Sequence, residues 1–276
     1  MYPQVQNFEN MRKSTLFAVL FMFVCGALFT GCAKDSGRIS SVDDLKDKRI
    51  GVLQGSVHDI YATKTFPRAT ILQYKGPSDM ILAVKSGKID AGIYTSDELV
   101  DLIRHQPEVT LFGPPLFSSD LGLGFHRDNA ELRNSFNRFL KQIRDNGVYD
   151  DMVNRWMKKG ETTMPSVPKV ESGRPLVVGL VSDNGLPFTA VKDNRLVGFN
   201  IELMERFAVF SGRRLTYLDM QFGSLIPALA SKKIDMIGAV MWITEERKKQ
   251  IDFSDPYYVQ GANFFALKKN IAAGAR

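Results

Sequence analysis

The chain has 276 residues, enough for two ordinary domains, and its 44% hydrophobic and 24% charged content is that of a globular protein with real cores. The net charge of +6 is scattered, often beside acids (Asp43 to Arg49, Glu245 to Lys249). No Lys/Arg stripe interleaved with aromatics appears, which argues against a nucleic-acid surface. The two cysteines, Cys25 and Cys32, fall near the start, leaving the rest without a disulfide or a CxxC metal site. His58, His105 and His126 are far apart and lack thiol or carboxylate clusters, so no metal site is expected.

Met1 to Asn10 is polar, whereas Met11-Arg12-Lys13 followed by the apolar run Leu16 to Phe29 reads as a secretory leader too short for a membrane span, with translation beginning at Met11. The run ends Leu28-Phe29-Thr30-Gly31-Cys32, which resembles a bacterial lipobox, with Phe29 where leucine is more usual. That resemblance implies cleavage before Cys32 and lipid on its sulfur, with 33–40 as a polar tether. Ile50 to Leu53 predicts a strand, Gly55 a tight turn, and Ser56 the N-cap of a helix from His58. There follow strand Thr70 to Tyr74, helix Ser78 to Ser86, strand Lys88 to Ile93, helix Asp97 to Arg104 and strand Thr110 to Phe112. Asn129 to Asp145 and Val148 to Lys159 read as amphipathic helices parted by Asn146-Gly147, a helix-ending pair.

Residues 160–175, rich in Pro, Ser, Thr and Gly, predict a linker. Beyond it come strand Leu176 to Val181, a loop at Gly185 to Phe188, a helix to Phe210 with Asn200 as N-cap, strand Leu215 to Leu218 and helix Ser224 to Ser231. Ile234, Met236 and Ile237 form an apolar strand. Thr244 then caps a short helix that Asp255-Pro256 is expected to stop. Arg247 therefore sits in the first helical turn beyond the carboxyl end of a strand, the edge at which open α/β sheets bind ligands. Its planar fork of donors suits a carboxylate. Asn263 to Leu267 is the last expected strand, with 269–276 a loose tail. A weak internal repeat, Leu82 to Asp90 against Leu229 to Asp235, points to two similar halves.

The run Ile243-Thr244-Glu245-Glu246-Arg247-Lys248-Lys249, continued by Ile251 to Tyr258, closely resembles the solute-binding proteins of amino-acid ABC transporters, family 3. Pro187-Phe188, Gly198-Phe199 and Leu225 to Leu229 match the first lobe of that family. Arg49 to Val52, Gly87 to Ala91, Leu123 to Phe125 and Gly147 to Asp150 with Trp156 match its second. The resemblance implies an α/β fold of the periplasmic-binding-protein type II, in which each lobe is a mainly parallel sheet flanked by helices and two hinge strands join the lobes. The lobes come in the opposite order to the family's: second lobe 41–125, returning helices 126–159, linker 160–175, first lobe 176–268. The expectation is one circularly permuted copy hinged on Leu121 to Phe125 paired with Asn263 to Leu267, or else a fragment of a longer tandem protein.

By the same resemblance Arg247 holds a ligand carboxylate, a polar amino acid being the first guess. Trp242, Phe188 and Val240 would pack on the ligand. The N–H groups around Ser56 and Val57 would add donors, and His58, Tyr94 and Thr95 would line the other wall. Two positions depart from the family. Trp242 stands where a Ser or Thr usually binds the ligand, and Thr95 where an acid often pairs with the α-ammonium, leaving Asp97, Asp183 or a water as candidate partners, or a different small carboxylate as the ligand. Asp90 and Asp235 are read as helix ends. The chain is expected to be a monomeric, non-enzymatic, cofactor-free and extracytoplasmic lipoprotein, partnered by a small carboxylate, an ABC permease and, through Cys32, a membrane. A ligand-sensing module or a cyclic-acid dehydratase on the same fold are the alternatives. No GxSxG, HExxH or P-loop motif adds another chemistry.

Overall fold

The computed structural model describes residues 37–275, of which Ile39 onward form one compact body; Cys32 and the leader lie outside the described residues. In chain order the first half comprises β1 (Arg49–Leu53), α1 (Val57–Thr65), β2 (Thr70–Tyr74), α2 (Pro77–Lys85), β3 (Ala91–Thr95), α3 (Ser96–Leu102) and β4 (Val109–Phe112). Next come β5 (Ser118–Leu121), β6 (Gly124–Phe125), α4 (Ala130–Asp145) and α5 (Val148–Val153), which runs into a π-turn over Asn154–Lys158. Past an irregular stretch lie β7 (Pro175–Leu180), the hairpin β8 (Ala190–Lys192) and β9 (Arg195–Val197), α6 (Phe199–Ser211), β10 (Arg214–Asp219) and α7 (Leu225–Ala230). β11 (Met236–Ile237), α8 (Glu245–Lys248), β12 (Asp252–Phe253) and β13 (Tyr258–Leu267) complete the set.

Two sheets result, and they share a plan. One runs β2-β1-β3-β13-β4 and the other β10-β7-β11-β6-β12; in each, the first three strands are parallel and the fourth is antiparallel to the third. The central strands are nearly continuous apolar runs because helices cover both faces; β3 is buried at every position.

The repeat seen in the sequence has a physical meaning here. Asp90 accepts from the Arg49 N–H at 2.8 Å and returns its own N–H to Arg49 O, and Asp235 does the same with Val177 at 2.7 Å. Each aspartate thus fastens the chain entering the third strand to the start of the central one. It is not a helix end. In each half the preceding isoleucine presses on a central glycine: a Cβ at Gly51 would strike Ile89, and one at Gly179 would strike Ile234. The third strand starts at Ala91 rather than Lys88 because Lys88 and Ile89 fold back to bond Ala83 O, as Lys233 does to Ala228 O.

The halves are joined by two chain crossings. β5 pairs antiparallel with the first part of β13, with Tyr258 opposite Leu121 and Gly261 opposite Ser118. This corrects the expected hinge pairing by one short step. Leu123 to Phe125 have already entered the other sheet, and Asn263 to Leu267 are taken up by β3 and β4. β13 is correspondingly ten residues long, because its buried second part forms the middle of a sheet while its first part forms the crossing.

Helices α4 and α5 lie against the half built on β7. α4 turns Leu132, Phe136, Phe139, Leu140 and Ile143 inward, and Phe136 and Phe139 meet Phe207 of α6 at 5.1 and 5.5 Å between ring centres. Glu202, fully buried in α6, accepts from Arg155 (2.7 Å), Trp156 Nε1 (2.7 Å) and Arg206 (2.8 Å). Both carboxylate oxygens are therefore satisfied. Breaking such a buried cluster by removing one partner costs about 3–5 kcal/mol. The cluster fixes the segment before residues 160–174 to the helix after them.

Three local expectations are corrected. Asn200 is not the cap of α6; Gly198, at φ 130°, holds that position, and Asn200 lies inside the first turn donating to Gly238 O. The helix after Thr244 ends at Lys248, well before Asp255-Pro256, because Ile251 N–H bonds Arg247 O and the chain then enters β12. The ends of the body are tied together: Ile39, 1% exposed, bridges Ile271, with Ile39 N–H to Asn270 O at 2.7 Å and Ala272 N–H to Ile39 O at 2.9 Å.

Candidate functional site

Arg247 is brought to the seam between the halves by a cap. Thr244 Oγ1 accepts from the Arg247 N–H at 3.2 Å, starting α8 immediately beyond the extended segment after β11. The side chain is 6% exposed. Its Nη1 donates to Trp242 O at 2.9 Å, its Nη2 reaches Gly55 O of the opposite half at 3.4 Å, and the guanidinium lies 5.3 Å from the Phe222 ring centre. Among the described residues no carboxylate stands within ion-pair distance of it. Burial without a counter-charge pulls its pKa down to about 10, still cationic at neutral pH.

Around it is a cavity of about 20 Å³, room for a water or two. One wall carries Leu53, Ser56, Val57, His58, Tyr94 and Thr95, and the other Asn184, Phe222, Val240, Trp242 and Arg247. Seven of the residues singled out in sequence as ligand contacts besides Arg247 thus meet in one place: Ser56, Val57, His58, Tyr94, Thr95, Val240 and Trp242. Ser56 also does the expected capping, its Oγ accepting from Asp59 N–H at 3.2 Å. Its own N–H is spent on Leu53 O, so Ser56 does not offer the backbone donor anticipated for it.

His58 is fully buried, both ring nitrogens lack a partner, and its pKa falls to about 3 through burial and the Arg247 charge. It is a neutral imidazole, packed at 5.6 Å on Trp242 and 5.9 Å on Tyr94. Trp242 Nε1 is likewise without a partner. The Tyr94 hydroxyl bonds across the seam to Asn184 O at 3.0 Å and Asn184 Oδ1 at 3.1 Å. Behind Asn184 lies Glu98, buried completely, accepting from Asn184 Nδ2 at 3.2 Å and from Gln260 of β13. Desolvation raises the Glu98 pKa to about 8.

Phe188 and Asp183 are corrected. Phe188 is core, 0% exposed and packed on Phe199 and Tyr258, because the loop holding it caps α6 through Pro187 O and Phe188 O. Asp183 lines a separate opening of about 340 Å³ beside Asp79, Asp219 and Lys75, where burial and its neighbouring acids raise its pKa. Asp97 faces a different groove, of about 190 Å³, with Tyr258 and Arg104. Sequence reading missed Phe222 and Asn184. Both follow the carboxyl ends of strands, β10 and β7, which is the signal that would have flagged them.

Residues 176–272 match the model of the bacterial extracellular solute-binding proteins, family 3. A probable histidine-binding protein of Campylobacter jejuni is 40% identical over 87 residues, 32% of this chain and 34% of that protein. The arginine-binding extracellular protein ArtP of Bacillus subtilis is 40% identical over 99 residues, 36% of this chain and 38% of its own length. Over residues 176–272 the chain is therefore similar to the family 3 solute-binding proteins. The architecture as a whole is α/β, two mixed sheets joined by two crossings. Among solved structures, the arginine-bound form of domain 1 from TmArgBP is 37% identical, with 38% of this chain and 89% of that one covered at a TM-score of 0.30. The chain spans between about a third and three-fifths of the length of the first curated relatives it matches.

The two shifted groups in the seam oppose each other in pH. His58, neutral when folded, gives stability that is lost as pH falls from 6.5 toward 3; Glu98, protonated when folded, gives stability that is lost as pH rises from 4.5 toward 8. Their sum rises from pH 3 to 4.5, is flat from 4.5 to 6.5 and falls from 6.5 to 8. Glu98→Gln should remove the fall above pH 6.5 and leave a rise between 4.5 and 6.5, read from urea midpoints across that range. An unchanged profile would contradict the assignment.

Proposed function

We propose that this protein is the capture component of an ABC importer, taking a small carboxylate-bearing solute, as its amino-acid-binding relatives do, between two lobes that close on it. The observation that carries this reading is Arg247: a buried guanidinium, unmet by any carboxylate among the described residues, reaching the carbonyls of both halves. A carboxylate arriving there replaces two weak carbonyl contacts with a charge-assisted, two-pronged pair. The aromatic lining of Trp242, Phe222 and Tyr94 suits the ligand's body. The cavity is too small for an amino acid as it stands, so entry requires the halves to part about the β5/β13 crossing.

In a thermal-shift screen of amino acids and small carboxylates, a ligand at about 100 times its Kd should add roughly 2.7 kcal/mol of stability. Arg247→Ala should abolish that gain. A mutant that responded like the wild type would remove Arg247 from the site.

The permuted order is part of the same proposal: one binding unit whose second lobe is read first. The pairing of β5 with β13, and the bridge between Ile39 and Ile271, support it. A re-ordered chain, 174–272 joined by a short glycine-serine linker to 39–160, should then fold and keep the ligand response. Failure of that chain to fold would favour a fragment of a tandem protein. Anchoring to the outer face of a membrane through Cys32 completes the reading; the mass of the mature protein should show a lipidated N-terminal Cys32, and an unlipidated one would reject it.

A further inference from the structure

Beyond the capture reading, on which it rests, the charge balance of the seam narrows the ligand. We propose that the ligand is a monocarboxylate lacking an α-ammonium, a 2-oxo or deaminated acid with a flat apolar body. Among the described residues the cavity is lined by one cation, Arg247, and no carboxylate.

A carboxylate alone brings the closed site to neutrality. An α-amino acid would add a second buried positive charge with no acid on the cavity lining to meet it, and an uncompensated buried charge is strongly disfavoured. The nearby acids are committed elsewhere. Glu98 lies behind Asn184, occupied by Asn184 and Gln260. Asp59 accepts from Gly55 N–H and Gln73 Nε2. Asp97 and Asp183 face other openings.

What the cavity offers instead is donors. Trp242 Nε1 is buried without a partner, as are both nitrogens of His58. A neutral imidazole supplies one N–H and one acceptor, and an indole only a donor. The Thr95 hydroxyl is beside them. A carbonyl or hydroxyl oxygen next to the carboxylate satisfies this set; an ammonium, which only donates, meets Trp242 donor to donor. Tyr94, Phe222 and Trp242 give the remaining wall its flat apolar surface.

The test is calorimetric titration of the purified chain with matched pairs: phenylpyruvate against L-phenylalanine, 4-methyl-2-oxopentanoate against L-leucine, and L-arginine, L-histidine and L-lysine besides. The expected result is that the better 2-oxo acid binds at least tenfold tighter than its amino acid and than the three basic ones. An amino acid binding as tightly as the 2-oxo acids overturns the inference while leaving the capture reading in place. No binding by any of them, with Arg247→Ala indistinguishable from wild type in the thermal screen, overturns both. Thr95→Asp, which restores an acid to the wall, should shift preference toward the amino acid by at least tenfold. An unshifted ratio in that variant also counts against the charge argument.

Discussion

A guanidinium buried between the two halves, met by no carboxylate among the described residues, is a cost the fold must offset. Removing an arginine from water is unfavourable by several kcal/mol unless its hydrogen bonds are replaced. Here the replacements are partial: two carbonyls, one from each half, and the face of Phe222. The side chain is therefore held but not saturated. That condition depends on the Thr244 cap, which fixes where α8 begins, and on the turn at Gly55, whose φ of 72° lets a carbonyl face the opposite half.

The two halves solve the same packing problem with the same parts. An aspartate fastens the third strand to the central one, an isoleucine fills the space over a glycine, and the preceding turn bonds back to an alanine carbonyl. These parts recur although the surrounding sequences differ. What differs between the halves is the edge over the seam: one presents a cation and an indole, the other an imidazole, a phenol and a helix start. The symmetric scaffold places the two edges face to face, and the chemistry comes from their asymmetry.

Much of this was legible in the residues. Strands at Thr70 to Tyr74 and near Ile50, the Ser56 and Thr244 caps and the position of Arg247 follow from local patterns that the structure keeps. What was not legible depended on tertiary partners. Phe188 reads as a loop aromatic packed on the ligand, yet the backbone of its loop caps α6 and its ring fills the core. Asp183 and Asn184 are neighbours in one loop, and only the Tyr94 hydroxyl across the seam decides which faces the cavity. The length of β13 was hidden because Tyr258 to Gly261 pair with a strand far away in sequence, and no period within the segment reveals that.

β13 has one further consequence. It leaves the crossing and runs unbroken into the centre of its sheet, flanked there by β3 and β4. Bending along its length would tear ladder bonds on both sides, so it behaves as a shaft rather than a flexible strap. Just upstream Pro256 lacks an N–H, and Tyr257 N–H bonds Leu121 O of the other crossing. One half is thus tied to the other through a strand whose far end is built into the middle of a sheet.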